Sequence, residues 1–137
     1  MTAKELLRQP LLIDVKIRNK IAEKDRWRMV AFGITANNDG ERVQSSGSQQ
    51  RMADAVGRYV DIEAEINAEI DRLVDAKKAV LNVIEQLELT EYDVLHKRYI
   101  QGMTFDEIAF DYGKSKSWAT TMHGNALQSV QKILDEN

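Results

Sequence analysis

The stretch Thr104–Gly124, TFDEIAFDYGKSKSWATTMHG, decides how this chain is read. Thr104 followed three residues later by Glu107 is a capping box: each residue satisfies an exposed backbone N–H of the other at a helix start. Ile108, Ala109 and Tyr112 then fall on one helical face, and Gly113 suits the left-handed residue that ends a helix. Ser115 can cap a further helix, whose inward positions are Ala119, Met122, Ala126, Val130 and Ile133. The acidic residues stop where that helix begins: from Gly113 to Leu134 there is no Asp or Glu.

Upstream, LTEYD places Thr90 as an N-cap, with Asp93 three residues on. Val94, Leu95, Tyr99 and Ile100 form an apolar face, and Gly102 stops the segment. Three short helices separated by glycine turns predict a helix-turn-helix unit over residues 89–137. In such a unit the third helix enters the major groove, its N-terminal residues facing base edges and its amides and short polar side chains meeting phosphates. The candidate contacts are Lys114, Ser115, Lys116 and Ser117 at the entry and first turn, Thr120 and Thr121 at base edges, and His123 at the helix edge. Lysines near phosphates release counterions and make affinity salt-dependent.

Residues 1–88 read differently. Thr2 and Glu5 form another capping box, and Leu6, Ile13, Ile17 and Ile21 recur at helical spacing to about Phe32. Pro10 either kinks this helix or marks where its regular part begins. Residues 36–50, rich in Asn, Gly, Ser and Gln, predict a flexible loop. A helix from about Gln50 to Leu87 then carries a heptad seam through Met52, Val56, Tyr59, Ile66, Ile70, Leu73, Val80, Ile84 and Leu87, broken only by Glu63 and Lys77. Residues 1–35 carry a net +4 and residues 51–88 a net −4. The expected fold is therefore all-α: a long antiparallel coiled-coil hairpin, residues 1–88, followed by the helix-turn-helix. Because the first helix is shorter than the second, part of the seam stays uncovered, which predicts a homo-oligomer through residues 52–87.

The segment from Leu89 to Val130 resembles the fourth conserved region of bacterial sigma factors. It is still more similar to the ArpU and RinA type late transcription regulators of phages and prophages of Gram-positive bacteria. The matching positions are Leu89, Glu91, Leu95, Arg98, Tyr99, Gly102, Thr104, Glu107, Ile108, Ala109, Gly113, Ser115, Trp118, His123, Ala126 and Leu127. The TAKE start and the run VDIEAEINAEIDRLVDAK also resemble that group. The chain departs from it at Ala119, where a larger aliphatic residue is usual, and at Asn125, where an Arg is common. The resemblance implies a transcription regulator of late or lytic genes that binds double-stranded DNA through the helix starting near Ser115. The alternatives are an RNA polymerase-binding adaptor and a small phage DNA-packaging subunit.

Composition narrows the remaining classes. The chain has 137 residues, 43% of them hydrophobic, no cysteine and a net charge of −3. No disulfide framework or thiolate metal site can form. His96 and His123 lack any metal-ligand spacing, no phosphate loop or nucleophile motif is present, and neither an enzyme nor a cofactor or metal is expected. No apolar run reaches the length of a membrane span, and a cytoplasmic location, in a bacterial host on the resemblance, is the expectation.

Overall fold

A capping box starts the chain's first helix. In the computed structural model, which describes residues 1–33 and 46–137, Thr2 N–H donates to Glu5 Oε2 at 3.1 Å and Glu5 N–H donates to Thr2 Oγ1 at 3.2 Å. The helix they open, α1, runs Ala3–Phe32. Pro10 lies inside it and does not end it; its ring, fully buried, leaves the Leu6 carbonyl without the usual helical donor. The second helix, α2, runs Ser46–Ile84. The expected loop at 36–50 is thus corrected at one end. Ser46–Gln50 are helical, and the Gln50 side chain bonds Asp54 one turn on at 3.0 Å. Residues 36–45 lie outside the described residues. At its other end α2 tightens: Gln86 and Leu87 donate to carbonyls three residues back.

All described elements are helices, and the chain forms two compact units. One comprises Met1–Asp14 with Arg72–Asn137, the other Val15–Asp71. The boundary expected at residue 88 does not mark an edge of either unit. The start of α1 and the end of α2 belong with the C-terminal helices.

In the Val15–Asp71 unit the two helical segments pair antiparallel. Lys20 reaches Glu65 at 2.9 Å, Arg58 reaches Glu23 at 2.9 Å and Glu65 at 2.8 Å, and the Phe32 ring meets Tyr59 edge-on at 5.5 Å. Lys24 lies over the same tyrosine ring. Lys20 and then Arg58 hold the Glu65 carboxyl below its usual range, and Glu23 and then Glu65 raise the Arg58 guanidinium. These bridges are open to solvent, so water and salt screen them and apolar burial outweighs them. The buried side chains here are Ile17 and Ala31 from α1, and Ala55, Ile62, Ile66 and Glu69 from α2. The expected seam holds at Ile66, and at Val80 and Ile84 further on, which are buried, but is displaced elsewhere: Met52, Val56, Glu63 and Ile70 are exposed, as is Ile21 on α1. The positions that turn inward instead are Ala55 and Ile62, both fully buried.

The other unit is built on two clusters. In the first, Ala3 and Leu7 of α1 and Val80 and Ile84 of α2 pack with Leu95, Tyr99, Ala126 and Val130. The Ala3 N–H donates to the Gln131 side chain at 2.8 Å. Residues 80–87 of the expected oligomer seam are therefore covered by the chain's own helices. The second cluster joins Val94, Ile108, Ala109 and Ala119. The third helix, α3, spans Leu89–Leu95; its cap is Glu88, whose carboxylate accepts from Glu91 N–H at 2.8 Å, and not Thr90. It continues into a wider turn over His96–Ile100, closed by Gln101 N–H on the His96 carbonyl, and Gly102 (φ 74°) ends it. Two further helices, α4 (Phe105–Tyr112) and α5 (Lys116–Glu136), complete the unit. Among the described residues no helix is long and apolar enough to cross a membrane.

Candidate nucleic-acid interface

The turn between α4 and α5 is determined residue by residue. Thr104 and Glu107 close the capping box at 3.1 and 2.9 Å, and those bonds hold the Glu107 carboxyl below its usual range. Gly113 adopts φ 63°, a left-handed conformation in which a Cβ is strained. Lys114 N–H reaches the Ala109 carbonyl at 2.9 Å, which gives the chain the reversal it needs before α5. Ser115 Oγ then accepts from Trp118 N–H at 3.1 Å and opens α5.

What fixes α5 is the second cluster. Ala119 is fully buried against Ile108 and Ala109, and Met122 packs beside it. The small alanine lets α4 and α5 approach closely. Trp118 lies against Tyr112, ring centroids 4.8 Å apart, while the Tyr112 hydroxyl donates to Asp93. Burial and then that hydrogen bond push the Tyr112 hydroxyl up, so it stays a donor, and α3 is tied to α4. Lys97 spans Asp93 at 3.4 Å and Asp111 at 3.9 Å, reinforcing the same junction.

With one face of α5 held in this way, its opposite face is open. Lys114, Ser115, Lys116, Ser117, Thr120 and Thr121 are all exposed, and the fold brings these six together over the first turns of α5. Two of them are partly engaged. Ser115 is the cap, and Thr120 Oγ1 donates to the Ser117 carbonyl at 3.0 Å, which leaves its oxygen free to accept. Lys116 Nζ lies 3.9 Å from Asp106 Oδ2, with both groups mostly in water. Gly124, half-buried, continues the line of the stripe one turn further, seven residues after Ser117 and four after Thr120, and a Cβ there would meet open space.

The seventh expected contact is elsewhere. His123 is half-buried, its Nε2 sharing a 2.6 Å hydrogen bond with the Tyr99 hydroxyl and its ring edge-on to Phe105 at 4.9 Å. Burial, helped by Arg98 and Lys4, lowers its pKa to about 4. It is a neutral structural imidazole near pH 7, and its contacts are internal. Burial raises the Tyr99 hydroxyl in turn, which keeps that proton in place. Arg98 is equally committed: its guanidinium lies 4.5 Å from the Phe105 ring centroid and donates to the Met103 carbonyl at 3.0 Å.

Two features of this surface are not anticipated by the sequence pattern. Asp106 stands beside the α5 entry, and Phe110 projects from α4 at 85% exposure. A signal for Phe110 does exist, since placing Ile108, Ala109 and Tyr112 inward turns position 110 outward. Comparison with protein-family models, with curated proteins and with solved structures finds no match to this chain.

Proposed function

We propose that this chain binds double-stranded DNA through the first turns of α5 and acts as a transcription regulator of the phage and prophage type it resembles, on late or lytic genes. The observation that carries the reading is the exposed, acid-free start of α5, set by the Gly113 turn and buttressed on its other face by Ala119 and Met122. Lys114 and Lys116 neutralise phosphates; Ser117, Thr120 and Thr121 face base edges, where hydroxyls serve as donor or acceptor but discriminate weakly. With no arginine on the stripe, a bidentate guanine contact is absent, so tight binding needs two copies on half-sites about 34–36 Å apart or a multiple of that. The test is a DNA-binding titration at several salt concentrations. Lys114→Ala with Lys116→Ala should weaken binding and reduce the salt slope by about 2, near one for each phosphate no longer neutralised. An unchanged slope would remove the assignment.

A second reading, docking to a protein such as RNA polymerase, is favoured by Phe110. An aromatic this exposed, with Asp106 and Asp111 close to it in α4, suits a basic partner surface better than a phosphate backbone. Phe110→Ala separates the two: it leaves binding to DNA alone unchanged and lowers only binding assisted by polymerase.

A further inference from the structure

The outward face of α1 in the Val15–Asp71 unit has no use in either reading. Ile17 and Ala31 turn inward, yet Val15, Ala22, Met29 and Val30 lie exposed on the opposite side. Val15, Asn19, Ala22, Arg26 and Met29 follow each other at spacings of four and three, a second heptad seam on the back of a helix already paired through its front. Asn19, Ala22, Glu23, Arg26, Trp27 and Val30 line an open groove of about 470 Å³ along it. A two-helix unit has only one internal seam, and here that seam buries few large apolar side chains. A second face that leaves Val15, Ala22, Met29 and Val30 in water around the polar Asn19 and Arg26 is one that a further helical layer would cover.

We propose that this face pairs with the same face of a second copy of the chain, antiparallel across a two-fold axis near Ala22. The order of residues supports that occupant over any other. Reading Val15, Asn19, Ala22, Glu23, Arg26, Val30 forwards against itself backwards sets Val15 opposite Val30, Asn19 opposite Arg26 and Ala22 opposite Glu23. Apolar meets apolar at both ends, and Ala22, the smallest side chain of the set, lies beside the axis, with Glu23 on its other side. Each Arg26 falls next to Glu23 of the other copy, one turn away. Glu23 holds Arg58 through Oε1, and a carboxylate accepts on both oxygens. Such self-complementarity is the signature of an isologous contact, and Asn19 within the seam favours a single register and a pair of chains. This inference stands apart from the DNA reading, because it draws only on the Val15–Asp71 unit.

The absence of cysteine from the chain gives a clean test. In Ala22→Cys the two thiols meet at the axis, so mild oxidation at micromolar concentration should convert most of the protein to a disulfide-linked dimer. Lys78→Cys, an exposed site on α2, should stay monomeric in the same time. Sedimentation should give the unmodified protein about twice the 15.6 kDa chain mass. Arg26→Glu, which sets carboxylates against Glu23 of the other copy, should halve that mass with helical circular dichroism unchanged. Cross-linking of Ala22→Cys no faster than of Lys78→Cys overturns the proposal. So does a monomeric unmodified chain, which would leave the face to a different protein. An oligomer indifferent to Arg26→Glu also overturns it and moves the interface to the exposed Met52, Val56 and Ile70 of α2.

Discussion

At the scale of single residues, His123 has the most measurable consequence. Burial lowers its pKa from the ordinary 6.5 to about 4. The unfolded chain therefore takes up a proton on this ring below about pH 6.5, while the folded chain refuses it until about 4. Protons favour the unfolded state across that window, so the contribution is complete above pH 6.5 and is lost as pH falls toward 4. Discounted for the ring's partial exposure, the loss is about 1–2 kcal/mol. Denaturant midpoints measured from pH 7 to pH 5 check this, above the range where carboxylates take over. His123→Gln keeps an acceptor for the Tyr99 hydroxyl and cannot titrate, so its midpoint should stay flatter over the same interval. His123 stands apart from the six exposed candidates for the same reason that the ring is neutral: it is held against Tyr99 and Phe105. Its sequence neighbourhood carries no sign of this, since Phe105 lies a helix away and Tyr99 two.

At the scale of elements, α5 contains a conflict between folding and binding. Gly124 sits inside the helix with an ordinary backbone and nothing within 4 Å of a Cβ. Gly124→Ala should therefore stabilise the protein by about 0.5–1 kcal/mol, read as a rise in thermal midpoint. The added methyl lies on the stripe of Ser117, Thr120 and Thr121, where the proposed DNA surface comes closest, so DNA affinity should fall several-fold while stability rises. Affinity that stays level would place the DNA contacts within the first two turns only. Helix ends were the most legible part of the sequence, because capping is local chemistry. The Thr2–Glu5 and Thr104–Glu107 boxes, the Ser115 cap and the left-handed Gly113 all stand where the sequence puts them. Glu88 displaced Thr90 as the α3 cap because either carboxylate or hydroxyl can accept an orphan N–H, and position alone did not choose. The seam of α2 is legible only in part, for a different reason: Ile66, Val80 and Ile84 are buried where the spacing puts them, but at Val56, Glu63 and Ile70 the inward position is one residue earlier than expected. Ala55 and Glu69 give no strong hydrophobic signal, yet both point inward, while Met52, Val56 and Ile70 give a strong one and point out. Periodicity finds an apolar face; which of two faces meets the partner helix depends on the partner.

At the scale of the whole molecule, the division of the chain is the feature least visible in sequence. The change in composition near residue 88 suggests a hairpin followed by a separate domain, but the core of the C-terminal unit includes Ala3, Leu7, Val80 and Ile84. The helix carrying the candidate DNA surface thus shares its core at Ala126 and Val130 with Ala3 and Leu7, more than a hundred positions away in the chain. Leu7 is the sharpest probe, being fully buried, far from the 104–124 stretch and shared by no cap or ion pair. Leu7→Ala should cost about 2–5 kcal/mol through the transfer energy forfeited and the cavity left behind. The readout must come from the C-terminal helices alone. Trp118 supplies it once Trp27 is replaced by Phe, since the chain has two tryptophans. In that background, Leu7→Ala should shift the Trp118 fluorescence transition to lower denaturant by the same amount as the helical circular dichroism of this unit. A hairpin joined to an independent C-terminal domain gives the opposite result: Trp118 unfolds at an unchanged midpoint while only the N-terminal helices weaken. Since two-state coupling requires one shared core, coincidence of the two probes is the discriminating observation.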